Sequence, residues 1–181
     1  MALRFNFLAL ALLGLMSHAT SPVAAQTTDT ASAPAESGPQ STTAVYGDWT
    51  TRCQRTEAGN LACEAAQYVR LSNQTQPAAQ MNLSRVNDVW SFRIEVAPNV
   101  SLPGVVLVML GGTSPGIELA WRRCLPTACI AEGNPGADTI AAWTTATEAG
   151  TFTYVDAAGR SIVYPISPRG MKAAVDTITA G

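Results

Sequence analysis

The chain has 181 residues, 47% of them hydrophobic and 13% charged, with a formal charge of −2 and four cysteines. These figures exclude a long disordered polymer and a nucleic-acid binder that relies on a strongly basic surface. Thirty residues are alanine, so the apolar share overstates the side-chain mass available for a core, yet enough remains for one ordinary domain. His18 is the only histidine and Lys172 the only lysine, which removes most histidine- and lysine-dependent chemistry at the outset.

Met1 to Ala25 reads as a secretory signal peptide. Arg4 supplies the positive start, Phe5 to Met16 a short apolar run, and Val23-Ala24-Ala25 the small residues that a signal peptidase needs. That run is shorter than the roughly 20 residues that cross a bilayer, so the expectation is export to the periplasm or outer envelope without a membrane span. Removing residues 1–25 takes away Arg4 and His18, leaving 10 basic against 13 acidic residues, a net of −3, and no histidine. Residues 26–44 are rich in Thr, Ser, Ala, Pro and Gln with almost no large apolar side chain, the composition of a flexible tether. The folded unit is expected over residues 45–181.

All four cysteines fall in the exported part, where thiols are oxidised. Four cysteines allow three connectivities, and spacing alone does not choose among them. A local reading does. Cys53 and Cys63 flank Glu57-Ala58-Gly59, which reads as a hairpin turn with Gly59 able to take a positive φ, and pairing 56 with 60 sets 53 opposite 63. Cys124 and Cys129 enclose Leu125-Pro126-Thr127-Ala128, a short loop bent by its proline. The bridges expected are therefore Cys53–Cys63 and Cys124–Cys129. The spacings do not match close zinc-ligand pairs, and no C-x-x-C or neighbouring histidine activates a thiol, so neither a metal nor a redox role is expected.

Along the folded part, period-two alternation dominates. Gln80 to Val96 reads as a hairpin turning at Asn87-Asp88, with Phe92, Ile94 and Val96 on one face. Val105 to Leu110 is uniformly apolar between Pro103-Gly104 and Gly111-Gly112, the pattern of a central strand buried on both faces. After a turn over residues 111–116, Ile117, Leu119 and Trp121 alternate with Glu118, Ala120 and Arg122 in a strand running into Cys124. Asp138 to Ala146 is expected as a short helix capped by Asp138, with Ile140 and Trp143 on one face. Thr151 to Val155 and Arg160 to Ile166 read as paired strands joined by Asp156-Ala157-Ala158-Gly159, with Pro165 placing the second at a sheet edge. Met171, Val175 and Ile178 recur at helical spacing in a terminal helix. Seven or eight short strands with so few helices predict an all-β fold, an antiparallel β-sandwich or distorted barrel with a short C-terminal helix.

Tyr46-Gly47-Asp48-Trp49-Thr50-Thr51-Arg52-Cys53, with Cys63 ten residues on, resembles the opening of the invasion-associated locus B family of exported bacterial proteins. Later features follow in the family's order: Leu102-Pro103-Gly104-Val105, the Cys124 to Cys129 pair, a short helical stretch with Trp143, and Ser167-Pro168-Arg169-Gly170-Met171. The chain departs from the pattern at Ala128-Cys129, at Gly170-Met171 and at Gly111-Gly112. The resemblance implies an envelope location and, in pathogenic relatives, a part in the invasion of host cells. It implies no catalytic residue and no cofactor.

Candidate chemistry is sparse. Serine catalysis normally recruits a base, and the expected mature chain has no histidine to serve as one. Gly111-Gly112-Thr113 lacks the Walker lysine. Asp48, Glu64, Glu95 and Glu118 supply carboxylates, but on alternating strands they read as solvent-facing. Three N-x-S/T triplets, at Asn73, Asn82 and Asn99, read as chance in an exported bacterial protein. Trp49, Trp90 and Trp143 read as core. The most suggestive patch is Trp121-Arg122-Arg123 beside the second cysteine pair, where guanidinium groups could clamp a carboxylate or phosphate. The expectation is a non-enzymatic protein without cofactor or metal that contacts an unknown protein in the envelope or on a host cell. The alternative is a ligand-binding module for cell-wall glycan or an anionic envelope component.

Overall fold

The computed structural model describes residues 38–111 and 116–181. The expected signal peptide, the tether up to residue 37 and most of the turn over residues 111–116 lie outside the described residues. The described chain forms β1 (Ser41–Tyr46), β2 (Trp49–Arg55), β3 (Leu61–Val69), β4 (Ala79–Val86), β5 (Val89–Val96), β6 (Val105–Met109), β7 (Ile117–Cys124), β8 (Cys129–Gly133), α1 (Ala137–Thr145), β9 (Gly150–Val155), β10 (Ser161–Ile166) and α2 (Met171–Ala180). All strands join one antiparallel sheet in the order β1-β2-β3-β4-β5-β8-β7-β6-β9-β10, curled into a half-barrel. The distorted-barrel form of the expectation, with its C-terminal helix, is what the chain adopts.

Local chemistry fixes the hairpins. Asn87 and Asp88 both have positive φ, 49° and 65°, as a two-residue turn matched to strand twist requires, and β4 and β5 pair from Val86↔Val89 outward. The β2–β3 and β9–β10 hairpins share one device. In each, an amide bonds across the loop, Thr56 to Asn60 and Asp156 to Arg160, and a glycine at the fourth loop position, Gly59 or Gly159, takes φ near +80°. The first sets Cys53 opposite Cys63, and their disulfide closes that pair. Cys124 pairs with Cys129 across β7 and β8 and forms the second disulfide. Pro165 lies on β10, the last strand in the order, where a missing donor is tolerated.

The inner face of the sheet carries Trp49, Met81, Leu83, Phe92, Ile94, Val106, Val108, Leu119 and Phe152, all fully buried. A curled sheet needs a plug, and the helices supply it. Met171, Ala174, Val175 and Ile178 of α2 pack against β1 to β4, while α1 inserts Ile140 and Trp143. The Trp143 ring meets Phe92 edge-to-face at 5.1 Å. Trp49, Trp90 and Trp143 are core residues, as expected. Among the described residues no helix is long and apolar enough to cross a membrane.

Four expectations are corrected. The first strand begins at Ser41, inside the stretch read as tether, because Thr42, Thr43 and Val45 are β-branched and find a partner in β2. Short β8 was not expected; it is held between β5 and β7 and buries Cys129, Ile130 and Ala131. Helix α1 starts one residue earlier than expected, with Gly136 at the cap and Asp138 in the first turn, where its charge suits the helix dipole. Strand β6 is interior to the sheet, third from the β10 edge, but not buried on both faces: Val106 and Val108 point inward while Val105, Leu107 and Met109 stay exposed.

Candidate functional site

Two sequence motifs separated by about 120 residues meet in a clasp. Gly47 takes φ 56° to turn the chain from β1 into β2, which brings Asp48 beside the segment between β10 and α2. Asp48 accepts from Arg169 Nε at 2.9 Å and Nη2 at 2.6 Å, and from the Ser167 hydroxyl. Beneath this pair the Ser167 carbonyl accepts from Trp49 Nε1 at 2.9 Å and Gln67 Nε2 at 3.1 Å, while the Ser167 amide donates to Gln67 Oε1 at 2.8 Å. The Asp48 amide donates to the Arg169 carbonyl at 3.0 Å. Gly170, with φ 89°, lies so close that a side chain there would run into the Tyr46 carbonyl. The Arg169 guanidinium, then the Ser167 hydroxyl, hold the Asp48 carboxyl down at about 2. The hydrogen bonds of the clasp tie the turn between β1 and β2 to the segment before α2, and so close the fold.

The remaining carboxylates stay apart. Glu64 lies opposite Arg52, Glu95 bonds Arg93 at 3.1 Å, and Glu118 lies opposite Leu107; the register makes none of them a cross-strand neighbour of another or of Asp48. Beside the clasp a cleft of about 420 Å³ is lined by Asp48, Gln67, Tyr68, Arg70, Pro165 and Ser167, with the Arg70 guanidinium 5.7 Å above the Tyr68 ring. Asp156, in the β9–β10 turn, is buried and accepts from Arg160 Nη2 at 2.6 Å and Nε at 2.8 Å, which holds its carboxyl below the usual carboxylate range. Burial pushes the neighbouring Tyr154 phenol up to about 12.

Trp121, Arg122 and Arg123 are neighbours in sequence but do not form one clamp. The ladder between β7 and β8 slips between Trp121 and Arg123, a β-bulge that extrudes Arg122. Trp121 stays on the inner side opposite Ala131, half-buried and edge-to-face with Tyr154 at 5.7 Å. Arg123 lies opposite Ile130, on the outer face that Ala120 and Glu118 share, and both arginines are exposed. Among the described residues neither arginine has an ion-pair partner.

The feature that the residue patterns did not single out is the outer face of β6 and its neighbours. Across the strands, Leu107 lies between Glu118 and Thr153, with Val163 beyond; Met109 lies beside Thr151, with Pro165 beyond; Val105 lies beside Ala120. Val105, Leu107, Met109 and Val155 are 41 to 46% exposed, Val163 is 56%, and Leu102 in the loop before β6 is 60%. Together these side chains form one contiguous apolar face, of the size of the largest patch that a monomer ordinarily exposes. The signal was present in the sequence: every residue of β6 is apolar, including the three that face outward.

Fold, staples and surface thus define a small disulfide-stapled β-domain with an apolar outer face. The chain belongs to the invasion-associated locus B family, whose model, described as Invasion associated locus B (IalB) protein, matches residues 49–179. Among solved structures it is similar to the crystal structure of invasion associated protein b from Bartonella henselae. The TM-score is 0.68 at 20% identity, over 77% of this chain and 95% of that one. At that identity the likeness shows the fold. No curated protein matches.

Proposed function

We propose that this is a non-catalytic exported envelope protein that acts by protein–protein contact through the outer face of β6, β9 and β10. Arg122 and Arg123 flank that face, and Trp121 fixes the strand from which they project. The observation that carries the reading is the exposure of Val105, Leu107, Met109, Val155 and Val163 on one side of the sheet. Covering on the order of 500 Å² of apolar surface at about 25 cal/mol per Å² yields roughly 12 kcal/mol before the cost of association, enough to drive a specific contact. Export is supported by the two disulfides, by the family and by the N-terminal pattern. The name of the Bartonella protein attaches invasion to that relative; for this chain, invasion would be one use of a surface held out to another protein.

A ligand module needs tryptophan and arginine lining one concavity. Here the cleft is lined by Tyr68 and Arg70, while Trp121 and Arg123 sit on β7 with Trp121 turned inward. The contact reading is therefore favoured. Its test is cross-linking in intact cells followed by capture of the wild type and of a Leu107→Lys variant. The expected result is a cross-linked partner with the wild type that is lost with the variant, although the variant keeps its circular dichroism and has no free thiol. Retention of the same partner by Leu107→Lys would overturn the reading.

A further inference from the structure

We infer that the occupant of the apolar outer face is a second copy of this chain, packed sheet on sheet about a two-fold axis that reverses strand direction. This rests on the contact reading above and names its partner. Leu102, Val105, Leu107, Met109, Val155 and Val163 are 41 to 60% exposed. Together they present on the order of 500 Å², so two copies remove on the order of 1,000 Å² of apolar surface, the size at which a specific interface begins. Between them stand Thr151, Thr153 and Pro165, uncharged, and on the β7 flank Ala120 and the single acid Glu118, opposite Leu107.

The charges at the rim choose the partner and the axis. Outward along β7 the chain reads Glu118, Ala120, then Arg123, with Arg122 extruded beside it by the bulge. Acid and base thus sit at opposite ends of one uncharged stretch, and among the described residues none of the three has an ion-pair partner. A two-fold axis across the strands lays Glu118 of each copy toward Arg122 and Arg123 of the other, twice per dimer. An axis along the strands instead turns Glu118 toward the β10 side. The cation there, Arg160, is already held by Asp156. Two sheets in the reversed arrangement keep their strands near alignment, as face-to-face sheets require.

The test is sedimentation velocity on the full chain, expressed with its own N-terminal segment and recovered oxidised. At roughly 50 µM the wild type is expected as a dimer and Leu107→Lys as a monomer of unchanged circular dichroism. Glu118→Arg should weaken the dimer about tenfold, and adding Arg122→Glu and Arg123→Glu to the same chain should restore it. A monomeric wild type overturns the inference, as does a dimer indifferent to Leu107→Lys, or a monomer that floats with vesicles of anionic phospholipid. A monomeric wild type that still loses its cellular partner on Leu107→Lys overturns the second-copy inference alone. If the variant also keeps the cellular partner, both readings fall.

Discussion

Asp48 shows how one side chain can hold two distant segments. Its carboxylate is ionised in the fold well below the usual carboxylate range, because the Arg169 guanidinium and Ser167 hydroxyl favour the charged form. A folded value lowered to about 2 contributes stability that is complete above the unfolded value near 4 and is lost as pH falls through about 2. The carboxylate is 35% exposed, so screening cuts the contribution to about 1 kcal/mol. Asp48→Asn is therefore expected to lose about 1 kcal/mol near neutral pH and to show a shallower acid decline in urea titrations between pH 4 and 2. The lowered Asp156 keeps some slope in the same direction. Glycines give a second contrast. Gly59 and Gly170 both have φ above 80°, but a side chain at Gly59 meets open space and at Gly170 meets the Tyr46 carbonyl. Gly59→Ala should cost about 1 kcal/mol and Gly170→Ala more than about 2, measured by the same titration.

At the scale of elements, the two disulfides close loops of different length. Sequence separations of 10 and 5 give loop-entropy contributions of about 2.7 and about 2 kcal/mol. Replacing Cys53 and Cys63 together by alanine is expected to lower stability more than replacing Cys124 and Cys129, and equal losses would show that loop closure is not the governing factor. Each bridge was legible, though not from spacing alone, because each closes a local loop whose turn residues could be read. The half-buried strands were legible for a similar reason: one face on a core forces period two, as in Ser91 to Val96. Element β1 was not, because Ser41-Thr42-Thr43-Ala44 has the composition of a linker and becomes a strand only when β2 offers a ladder. Strand β6 misled because an apolar run reports hydrophobicity on both faces and not what covers each face. In β6 only Val106 and Val108 meet the core; Val105, Leu107 and Met109 on the other face stay 41 to 46% exposed.

For the whole molecule, the strand order carries information that no local pattern holds. β8 lies between β5 and β7, and β6 between β7 and β9, so two pairings between non-consecutive strands, β5 with β8 and β6 with β9, set the second half of the sheet. The clasp is similar: Gly47-Asp48-Trp49 and Ser167-Pro168-Arg169-Gly170 are each visible as motifs, but only the curl of the sheet brings β3 and the end of β10 together so that Gln67 and Trp49 can grip Ser167. The outer apolar face is the contact surface proposed for the molecule. A photo-reactive residue placed at Leu107, in the full chain expressed in its own cells, tests that most directly, with a probe at Arg52 on the polar part of the outer surface as reference. The account predicts a discrete protein adduct from position 107 and none from position 52. Equal labelling from both positions, or none from 107, would contradict it.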